Sequence, residues 1–270
     1  MTIERFFELF LKELEENKDW WSYYKFLEDP EKLNFRKAYF CQRLEYVRNH
    51  LPKNATQIWD CGCGYGTTAL FLAMNGIPVF GNTLEFYYEY IPKRIEYWSQ
   101  FGDTSLFRVS YENLFDMQIK SNTFDAIIIQ DTLHHLEPIE EALKILHYAL
   151  KPGASLIAIE ENGNNLIQNA KLFLQRGNKR VITIQDQKLQ KPILLGNENI
   201  RGIKAWEKLF TKAGFQFRPE SIEYIRFLLP FQTKKIADTN ALIAKEQSIK
   251  SDFYKKYFFF GINFIARKNI

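Results

Sequence analysis

The chain of 270 residues is 46% hydrophobic and 25% charged, a length and balance typical of one elaborated globular domain with a full core. Its formal net charge is only +4, with basic and acidic residues interspersed, which argues against a dedicated nucleic-acid-binding protein. Three cysteines exclude a disulfide framework, and the C-G-C spacing of Cys61 and Cys63 is too tight for a usual zinc motif, so no metal centre is predicted.

The first 52 residues have a helical pattern. Between Ile3 and Leu51, apolar residues recur at three- and four-residue steps, interrupted by an aromatic stretch from Trp20 to Phe26. Pro52 ends this pattern. We therefore predict a helical cap over residues 1–52, followed by an α/β domain over residues 53–270.

From Gln57 onwards, short apolar runs alternate with helical segments. The run F-D-A-I-I-I is nearly continuous, as expected for a central parallel strand that is buried on both faces. Regular alternation of strands and helices predicts right-handed βαβ units and a parallel sheet. The five strands predicted in this part are Gln57–Cys61, Ile77–Gly81, Ser105–Val109, Phe124–Ile129 and Ala154–Ile159.

The regular alternation loosens after Glu161, where a predicted helix is followed by a polar, irregular stretch. It resumes with a further helix and two strands, and two insertions are predicted to interrupt the domain. The predicted elements are a helix at Asn165–Gln175, an irregular stretch at 178–199, a helix at Lys204–Lys212, and strands at Phe215–Tyr224 and Phe258–Arg267. The predicted insertions lie at about 163–203 and 228–256.

A glycine-rich turn joins the first strand to the next helix, in the segment I-W-D-C-G-C-G-Y-G-T-T from Ile58 to Thr68. Glycine lets a ligand approach the backbone, and the N–H groups at the start of a helix suit an anionic group. The dinucleotide fingerprint G-x-G-x-x-G is not met, because Thr67 stands where its third glycine would be. Asp60 ends the strand, where a carboxylate suits an ammonium group and would repel a pyrophosphate. The turn therefore favours an amino-acid-bearing cofactor over NAD.

Three motifs in this order resemble those of the class I S-adenosylmethionine-dependent methyltransferases. The turn D-C-G-C-G-Y-G is similar to the first motif of that family, F-D-A-I-I-I-Q-D-T-L-H-H-L to its fourth-strand motif, and L-K-P-G-A-S-L-I-A-I-E to the stretch that enters its fifth strand. The resemblance covers most of residues 57–159. It implies an α/β fold with a seven-stranded, mostly parallel Rossmann-like sheet in the order 3-2-1-4-5-7-6, the last strand antiparallel, and S-adenosyl-L-methionine as the cofactor.

The resemblance also implies which residues bind the methionine part of the cofactor. Asp60 would hold the ammonium group, and the backbone of Gly62, Cys63 and Gly64 would lie against the cofactor. A valine at Gly62 is expected to fill space that the methionine moiety needs.

The second strand departs from the commonest pattern of the family, since Thr83 stands where most members carry the acid that grips the ribose hydroxyls. The Thr83-Leu84 pair is similar to the branch that contains the cyclopropane fatty acid synthases, in which an aromatic–acid pair holds adenine. Tyr111-Glu112 matches that pair, but the match to the branch is incomplete, because Tyr88 replaces its following glutamine. Glu85 is an alternative ribose ligand. The predicted cofactor-binding residues are Asp60, Gly62, Cys63, Gly64, Thr83, Leu84, Tyr111, Glu112 and Gln130.

Two histidines follow the fourth strand, where the family's active-site rim should lie. His134 or His135 is the predicted general base for a hydroxyl acceptor, since histidine titrates near neutral pH. The alternative is that both residues cap or pack against the start of the next helix. Glu160 and Glu161, at the end of the fifth strand, either orient the substrate or are solvated loop acids.

We expect an S-adenosylmethionine-dependent methyltransferase that acts at oxygen or carbon of a small, largely apolar acceptor of aromatic, quinone-like or lipid-like character. The N-terminal aromatic residues and the insertion after the fifth strand are expected to wall its pocket. Two alternatives stay open: methylene transfer to a lipid double bond, and a non-catalytic S-adenosylmethionine-binding partner subunit. No nucleic-acid partner is expected.

Membrane spanning is not predicted, because the longest apolar run near the end of the chain, Tyr257–Ala266, is too short for a bilayer. The first residues lack the pattern of a secretory signal, so a cytoplasmic protein is expected. The segment R-F-L-L-P-F at Arg226–Phe231, with the basic stretch beyond it, predicts peripheral contact with a membrane surface, although a buried amphipathic helix would have the same pattern.

Overall fold

The computed structural model describes residues 1–84, 87–228, 232 and 238–270, so Glu85 and residues 229–231 of the R-F-L-L-P-F segment lie outside the described residues. The helices are α1 (Ile3–Glu16), α2 (Trp21–Tyr24), α3 (Leu33–His50), α4 (Thr67–Ala73), α5 (Tyr87–Trp98), α6 (Ile139–Ala149), α7 (Leu166–Arg176), α8 (Ile203–Lys212), α9 (Thr239–Gln247) and α10 (Asp252–Phe258). The strands are β1 (Ile58–Cys61), β2 (Val79–Thr83), β3 (Phe107–Tyr111), β4 (Phe124–Gln130), β5 (Leu150–Glu161), β6 (Val181–Asp186), β7 (Lys191–Gly196), β8 (Phe215–Ile225) and β9 (Gly261–Lys268).

Seven strands form one sheet in the order β3-β2-β1-β4-β5-β9-β8. Strands β1 to β5 are parallel, and β9 lies antiparallel between β5 and β8. When the seven sheet strands are numbered consecutively, this is the predicted order 3-2-1-4-5-7-6, so the sheet order and the antiparallel last strand are confirmed. In the middle of the sheet, Asp60 pairs with Gly81 of β2 and Ile128 of β4, which aligns the carboxyl ends of these strands.

Alternating side chains divide the apolar residues of the sheet between two cores. Ile58, Ile128 and Ile157 lie in the core shared with α1, α3, α4 and α5, whereas Trp59 and Ile127 lie in the core shared with α6 and α8. All five are at most 1% exposed. Burial on both faces explains why the central strands lack polar alternation.

The first helix belongs to one of these cores. The ring of Phe6 on α1 lies 4.4 Å from that of Trp98 on α5 and 5.2 Å from that of Phe71 on α4, measured between ring centres. The carboxylate of Glu13 accepts hydrogen bonds from the guanidinium of Arg94 on α5 at 2.7 and 2.8 Å and from the indole N–H of Trp98 at 2.9 Å. Helix α1 therefore shares its core with the α/β domain.

The insertion after β5 is more regular than predicted. The stretch 178–199, predicted to be irregular, contains the β6-β7 hairpin, in which Val181 pairs with Gly196. That prediction was wrong, because the two-residue alternation of V-I-T-I-Q-D is a strand signal although the stretch as a whole is polar. The last strand begins at Gly261, since α10 extends through Phe258.

Candidate active site

A cavity of about 820 Å³ lies at the carboxyl ends of the parallel strands, between the sheet, the N-terminal helices and the hairpin. This is the edge where open α/β sheets bind ligands, and the volume falls within the range of roughly 300–1,000 Å³ of small-molecule pockets. The predicted site residues that line it are Asp60, Gly62, Cys63, Gly64, Thr83, Leu84, Glu112, Gln130, His134 and His135.

Asp60 ends β1 as a buried carboxyl group at the floor of the cavity. Only 2% of the residue is exposed. Burial raises the pKa of Asp60 to about 7, and a hydrogen bond from the backbone N–H of Ala69 on α4 offsets this only in part. A buried carboxylate is stabilised by an adjacent cation. The ammonium group of a ligand in the cavity would supply that cation, so the site fits a methionine moiety.

The turn after Asp60 requires glycine for two different reasons. Gly62 and Gly64 both have positive φ angles, +74° and +53°. A Cβ atom at Gly62 would lie 2.3 Å from the side chain of Thr132. The space beside Gly62, which was predicted to hold the methionine moiety, is therefore filled by Thr132. A Cβ atom at Gly64 would meet no atom within 4 Å. It is therefore Gly64 that leaves open space for a ligand beside the backbone.

The ends of three strands are held together beside the turn. The Asn82 side chain on β2 accepts a hydrogen bond from the indole of Trp59 on β1 at 2.8 Å and donates one to the backbone oxygen of Glu112 at 3.1 Å. Thr83 ends β2 and is buried. These bonds bring the segment after β3 next to the turn, where the adenosine part of the predicted cofactor would lie.

Gln130 and Tyr111 are placed differently from each other. The Gln130 amide donates a hydrogen bond to the Thr68 hydroxyl, and both residues line the cavity. The Tyr111 hydroxyl instead donates to Asp186 of the hairpin at 2.7 Å, and Tyr111 is not among the described residues that line the cavity. Of the predicted Tyr111-Glu112 pair, therefore, only Glu112 reaches the cavity, while Tyr111 anchors the hairpin.

His134 is buried and paired with a carboxylate. Its Nδ1 lies 2.5 Å from Oε2 of Glu160, whose other oxygen accepts two backbone N–H groups of the loop after β4 at 3.0 and 2.7 Å. Burial by itself lowers the pKa of His134, but Glu160, with Asp131 and Glu198, raises it to about 9. The ring therefore holds a proton at neutral pH, which makes His134 poorly suited to accept one.

His135 presents its other nitrogen toward the cavity. Its Nδ1 lies 2.9 Å from the backbone oxygen of Gly196. Since a carbonyl only accepts, Nδ1 carries the proton of the neutral ring and Nε2 can accept another. Nε2 lies 3.9 Å from Oε1 of Glu198, a residue that the sequence analysis missed because it lies in the stretch predicted to be irregular.

The N-terminal helices form the wall opposite the turn, and an ion pair ties this wall to the sheet. Arg43 of α3 pairs with Asp131, which follows β4 with a positive φ angle of 48°. Although burial by itself would raise the pKa of Asp131, Arg43 lowers it. Neither residue was predicted, because nothing in the local sequence of either one indicates its partner.

Residues 59–158 match a family model described as a methyltransferase domain. The human mitochondrial protein named arginine-hydroxylase NDUFAF5 is 25% identical over 140 residues, which make up 52% of this chain and 39% of that protein. The match thus spans about two fifths of the length of this curated relative.

Two solved structures share the fold. A SAM-dependent methyltransferase from Methanosarcina mazei has a TM-score of 0.52 at 18% identity, with 83% of this chain and 97% of that chain covered. Phosphoethanolamine N-methyltransferase 2 from Haemonchus contortus, in complex with S-adenosyl-L-methionine, has a TM-score of 0.57 at 16% identity, with 84% of this chain and 52% of that chain covered.

The domain match supports an enzyme, an S-adenosylmethionine-dependent methyltransferase, with S-adenosyl-L-methionine as its cofactor, and the two neighbours share its fold. The predicted enzyme class and cofactor are confirmed at this level. In the part of the chain that the structure describes, no helix is both long enough and apolar enough to cross a membrane.

Proposed function

We propose that this S-adenosylmethionine-dependent methyltransferase acts on oxygen or carbon of a small, largely apolar acceptor. The observation that carries the proposal is the division of one cavity into two unlike halves. The turn after β1, with the buried Asp60, forms a polar floor, and aromatic rings of the N-terminal helices form the facing wall. These rings belong to Tyr23, Tyr24, Phe26, Phe35, Tyr39 and Phe40.

The polar half is suited to hold the cofactor. Asp60 is the partner for its ammonium group, the open backbone at Gly64 is the surface it lies against, and Thr83 and Glu112 flank the adenosine side. When bound, the cofactor supplies an electrophilic methyl group on a sulfonium sulfur. Transfer of this kind depends on alignment and on exclusion of water more than on a covalent intermediate.

The aromatic half is suited to hold the acceptor. Burial of apolar surface contributes roughly 25 cal/mol for each Å², so such rings bind an apolar molecule without many polar contacts. Leu194 and Leu195 of the hairpin add apolar surface on another side of the cavity. The same side chains keep water away from the reacting atoms.

For a hydroxyl acceptor, we assign the removal of the proton to His135. Its Nδ1 is held by the backbone oxygen of Gly196, so a proton from the acceptor goes to Nε2. Glu198, with its Oε1 atom 3.9 Å away, would stabilise the imidazolium that forms. His134, already paired with Glu160, acts on this assignment as a positioning residue.

An exposed face of α7 favours an acceptor held at an anionic membrane surface. Leu166, Ile167, Phe173 and Leu174 are exposed on this helix, Leu174 to 86%. Four basic residues and no acidic ones lie between Glu161 and Asp186. Apolar side chains beside cations are typical of helices that lie in an anionic lipid interface. The exposed aromatic residues of α10, which packs against α7, extend the same surface.

Vesicle sedimentation tests the membrane contact. We expect the protein to bind vesicles of phosphatidylcholine with phosphatidylserine, to bind pure phosphatidylcholine vesicles less, and to lose binding in Leu174→Asp. The matched control is Tyr148→Asp on α6, where Tyr148 is exposed to a similar extent as Leu166. Binding of Leu174→Asp at the level of Tyr148→Asp would overturn the membrane contact.

Calorimetry with S-adenosylhomocysteine tests the cofactor site. Gly64→Leu is expected to weaken binding more than tenfold, about 1.4 kcal/mol, because its side chain enters the open space beside the turn. The control is Gly76→Leu: Gly76 has a φ angle of +75° and open space, so it carries similar backbone strain without lining the cavity. Equal affinities of the two folded variants would contradict the assignment of the turn.

A trideuteromethyl donor incubated with aromatic, quinone-like and lipid-like acceptors tests the reaction. Transfer to oxygen or to a nucleophilic carbon retains every deuterium of the methyl group, whereas methylene addition to a double bond loses one. Hydroxylation, the activity in the name of the human relative, would add oxygen without label. A labelled product with all its deuterium is the expected result. Cofactor binding without any labelled product from these acceptors would favour the non-catalytic subunit.

A further inference from the structure

We propose that His134, His135 and Glu198 bind a divalent transition-metal ion inside the cavity. The Nε2 atom of His134 lies 3.7 Å from Oε2 of Glu198, and Nε2 of His135 lies 3.9 Å from Oε1 of the same carboxylate. One ligand atom from each residue lies within 4.8 Å of the others. With metal–ligand bonds of about 2.0–2.1 Å, tetrahedral ligands stand about 3.3 Å apart, so the three ligand atoms must approach one another by up to about 1.5 Å when an ion binds.

Both imidazole rings are oriented as metal ligands usually are. The Nδ1 atom of His134 is held by the buried Glu160 carboxylate, and Nδ1 of His135 by the backbone oxygen of Gly196. Histidine ligands of metal ions commonly use one ring nitrogen for such a carboxylate or carbonyl and the other for the metal. In this cavity the second nitrogen of each ring lies toward Glu198.

The loop that carries Glu198 is fastened to the backbone of the two histidines. The N–H groups of Gly196 and Asn199 donate to the backbone oxygens of His135 and His134 at 2.9 and 3.3 Å. A Cβ atom at Gly196 would lie 1.9 Å from the His134 oxygen, so only glycine permits this approach. Glu198 itself has a positive φ angle of 51°, which is uncommon outside glycine. The backbone that carries the carboxylate is thus fixed before any ion binds.

The ligand set indicates the class of ion. Two imidazoles and one carboxylate suit a first-row divalent transition metal or zinc, whereas magnesium and calcium prefer oxygen ligands. Three protein ligands leave coordination positions open toward the cavity. A consequence, which rests on the proposed function, is that the ion would bind the acceptor's hydroxyl oxygen and lower its pKa. His135 would then be a ligand and not the base, and the proton of the metal-bound hydroxyl would pass to water.

Titration of the full chain with Co²⁺, followed by its visible absorption, tests the site without any activity measurement. Mildly alkaline pH is chosen so that the ion can replace a proton on His134. We expect saturation at one ion per chain, displacement of Co²⁺ by Zn²⁺, and no competition by Mg²⁺. His135→Gln and Glu198→Gln should each weaken Co²⁺ binding at least tenfold, about 1.4 kcal/mol.

Matched controls separate this site from adventitious binding. His147→Gln on α6 and Glu140→Gln remove the same side-chain types away from the cavity and should leave Co²⁺ affinity unchanged. Saturable binding that survives in both ligand variants, or no saturable binding in the unmodified chain, would overturn the proposal. S-adenosylhomocysteine binding, measured in the same samples, shows that each variant is folded. Formation of labelled product by an unmodified chain that shows no saturable Co²⁺ binding would show that the proposed function stands when the metal site fails.

Discussion

The N-terminal helices and the β6-β7 hairpin form two walls of the cavity, and they are attached to the rest of the protein in different ways. Helix α1 supports the aromatic wall from behind, since its Phe6 and Phe10 rings pack against Phe40. It also carries Glu13, which pairs with Arg94 so that neither side chain has any exposed surface.

The base of the hairpin is held by backbone hydrogen bonds from Gly196 and Asn199 to the two histidines. Its tip is held over the end of β3 by the Tyr111–Asp186 hydrogen bond and by surface pairs such as Lys188 with Glu89, whose side chains are 45% and 66% exposed. The first wall is backed by the hydrophobic core, whereas the ion pairs at the tip of the second lie on the surface.

This difference separates a fixed wall from one that can open. Surface ion pairs contribute about 0–1 kcal/mol each, and elements held mainly by such pairs open at low free-energy cost. Removing one partner of a buried pair is far more costly, because it leaves an uncompensated charge. We therefore expect ligands to enter and leave past the tip of the hairpin, near Lys188 and Lys191, while the N-terminal helices keep their shape. If the helices were only a lid, deletion of residues 1–30 would leave a folded protein. We instead expect this deletion to unfold the protein.

The largest effect expected from this comparison is on stability. Arg94→Met should lower the free energy of unfolding by about 3–5 kcal/mol, since Glu13 stays buried without its partner. Chemical denaturation measures the loss. The double variant Glu13→Met with Arg94→Met should lose less than the single variant, because it leaves no lone charge. A loss below about 1 kcal/mol in the single variant would show that the Glu13–Arg94 pair stabilises α1 no more than a surface pair stabilises the hairpin.

A second test uses Asp60 at the floor between the two walls. Its pKa of about 7 means that the carboxyl group takes up a proton as the pH falls below neutrality, and the protonated form cannot pair with an ammonium group. Affinity for S-adenosylhomocysteine should therefore fall with decreasing pH, approaching tenfold for each unit below 7. Calorimetry at a series of pH values measures the slope.

Asp60→Asn is the control for this slope. It should bind weakly with little dependence on pH in the same range, because the titrating group is gone. A steep slope that persists in Asp60→Asn would show that another group controls cofactor binding. Loss of the slope in both proteins would show that the cavity is open enough for water to keep Asp60 ionised.

The smallest effect on stability is expected at the hairpin. Lys188→Ala combined with Lys191→Ala removes its pairs with Glu89 and Asp116 and should cost about 1 kcal/mol or less. Dissociation of S-adenosylhomocysteine, measured by stopped flow, should nevertheless become faster. High salt should produce the same change in the unmodified protein, because surface pairs are screened.

The matched variant for the hairpin is Lys212→Ala. It removes another surface pair, Lys212 with Glu140, whose two side chains are 64% and 52% exposed. Neither residue of this pair lines the cavity. Its dissociation rate should equal that of the unmodified protein. If all three proteins release S-adenosylhomocysteine at the same rate, the hairpin is not the wall that opens.

Local pattern was enough to predict the sheet. The apolar run of β4, the strand–turn–helix at Asp60 and the K-P-G segment at the start of β5 each encode their own element, because periodicity and glycine conformation act over a few residues. The resemblance carried by these same segments implied the strand order and the cofactor. The hairpin was missed although its alternation is visible, since a two-stranded ribbon in a polar insertion gives a weak local signal.

The amino-acid sequence by itself therefore determined the elements of the seven-stranded sheet, the position of the turn and the residues at the strand ends. Only the tertiary structure decided their partners. Tyr111 contacts the hairpin instead of the cavity, Thr132 fills the space beside Gly62, and Glu198 meets two histidines far from it in the chain. These contacts join segments whose local sequences carry no sign of each other, and they arise only when the packing of the whole fold brings the segments together.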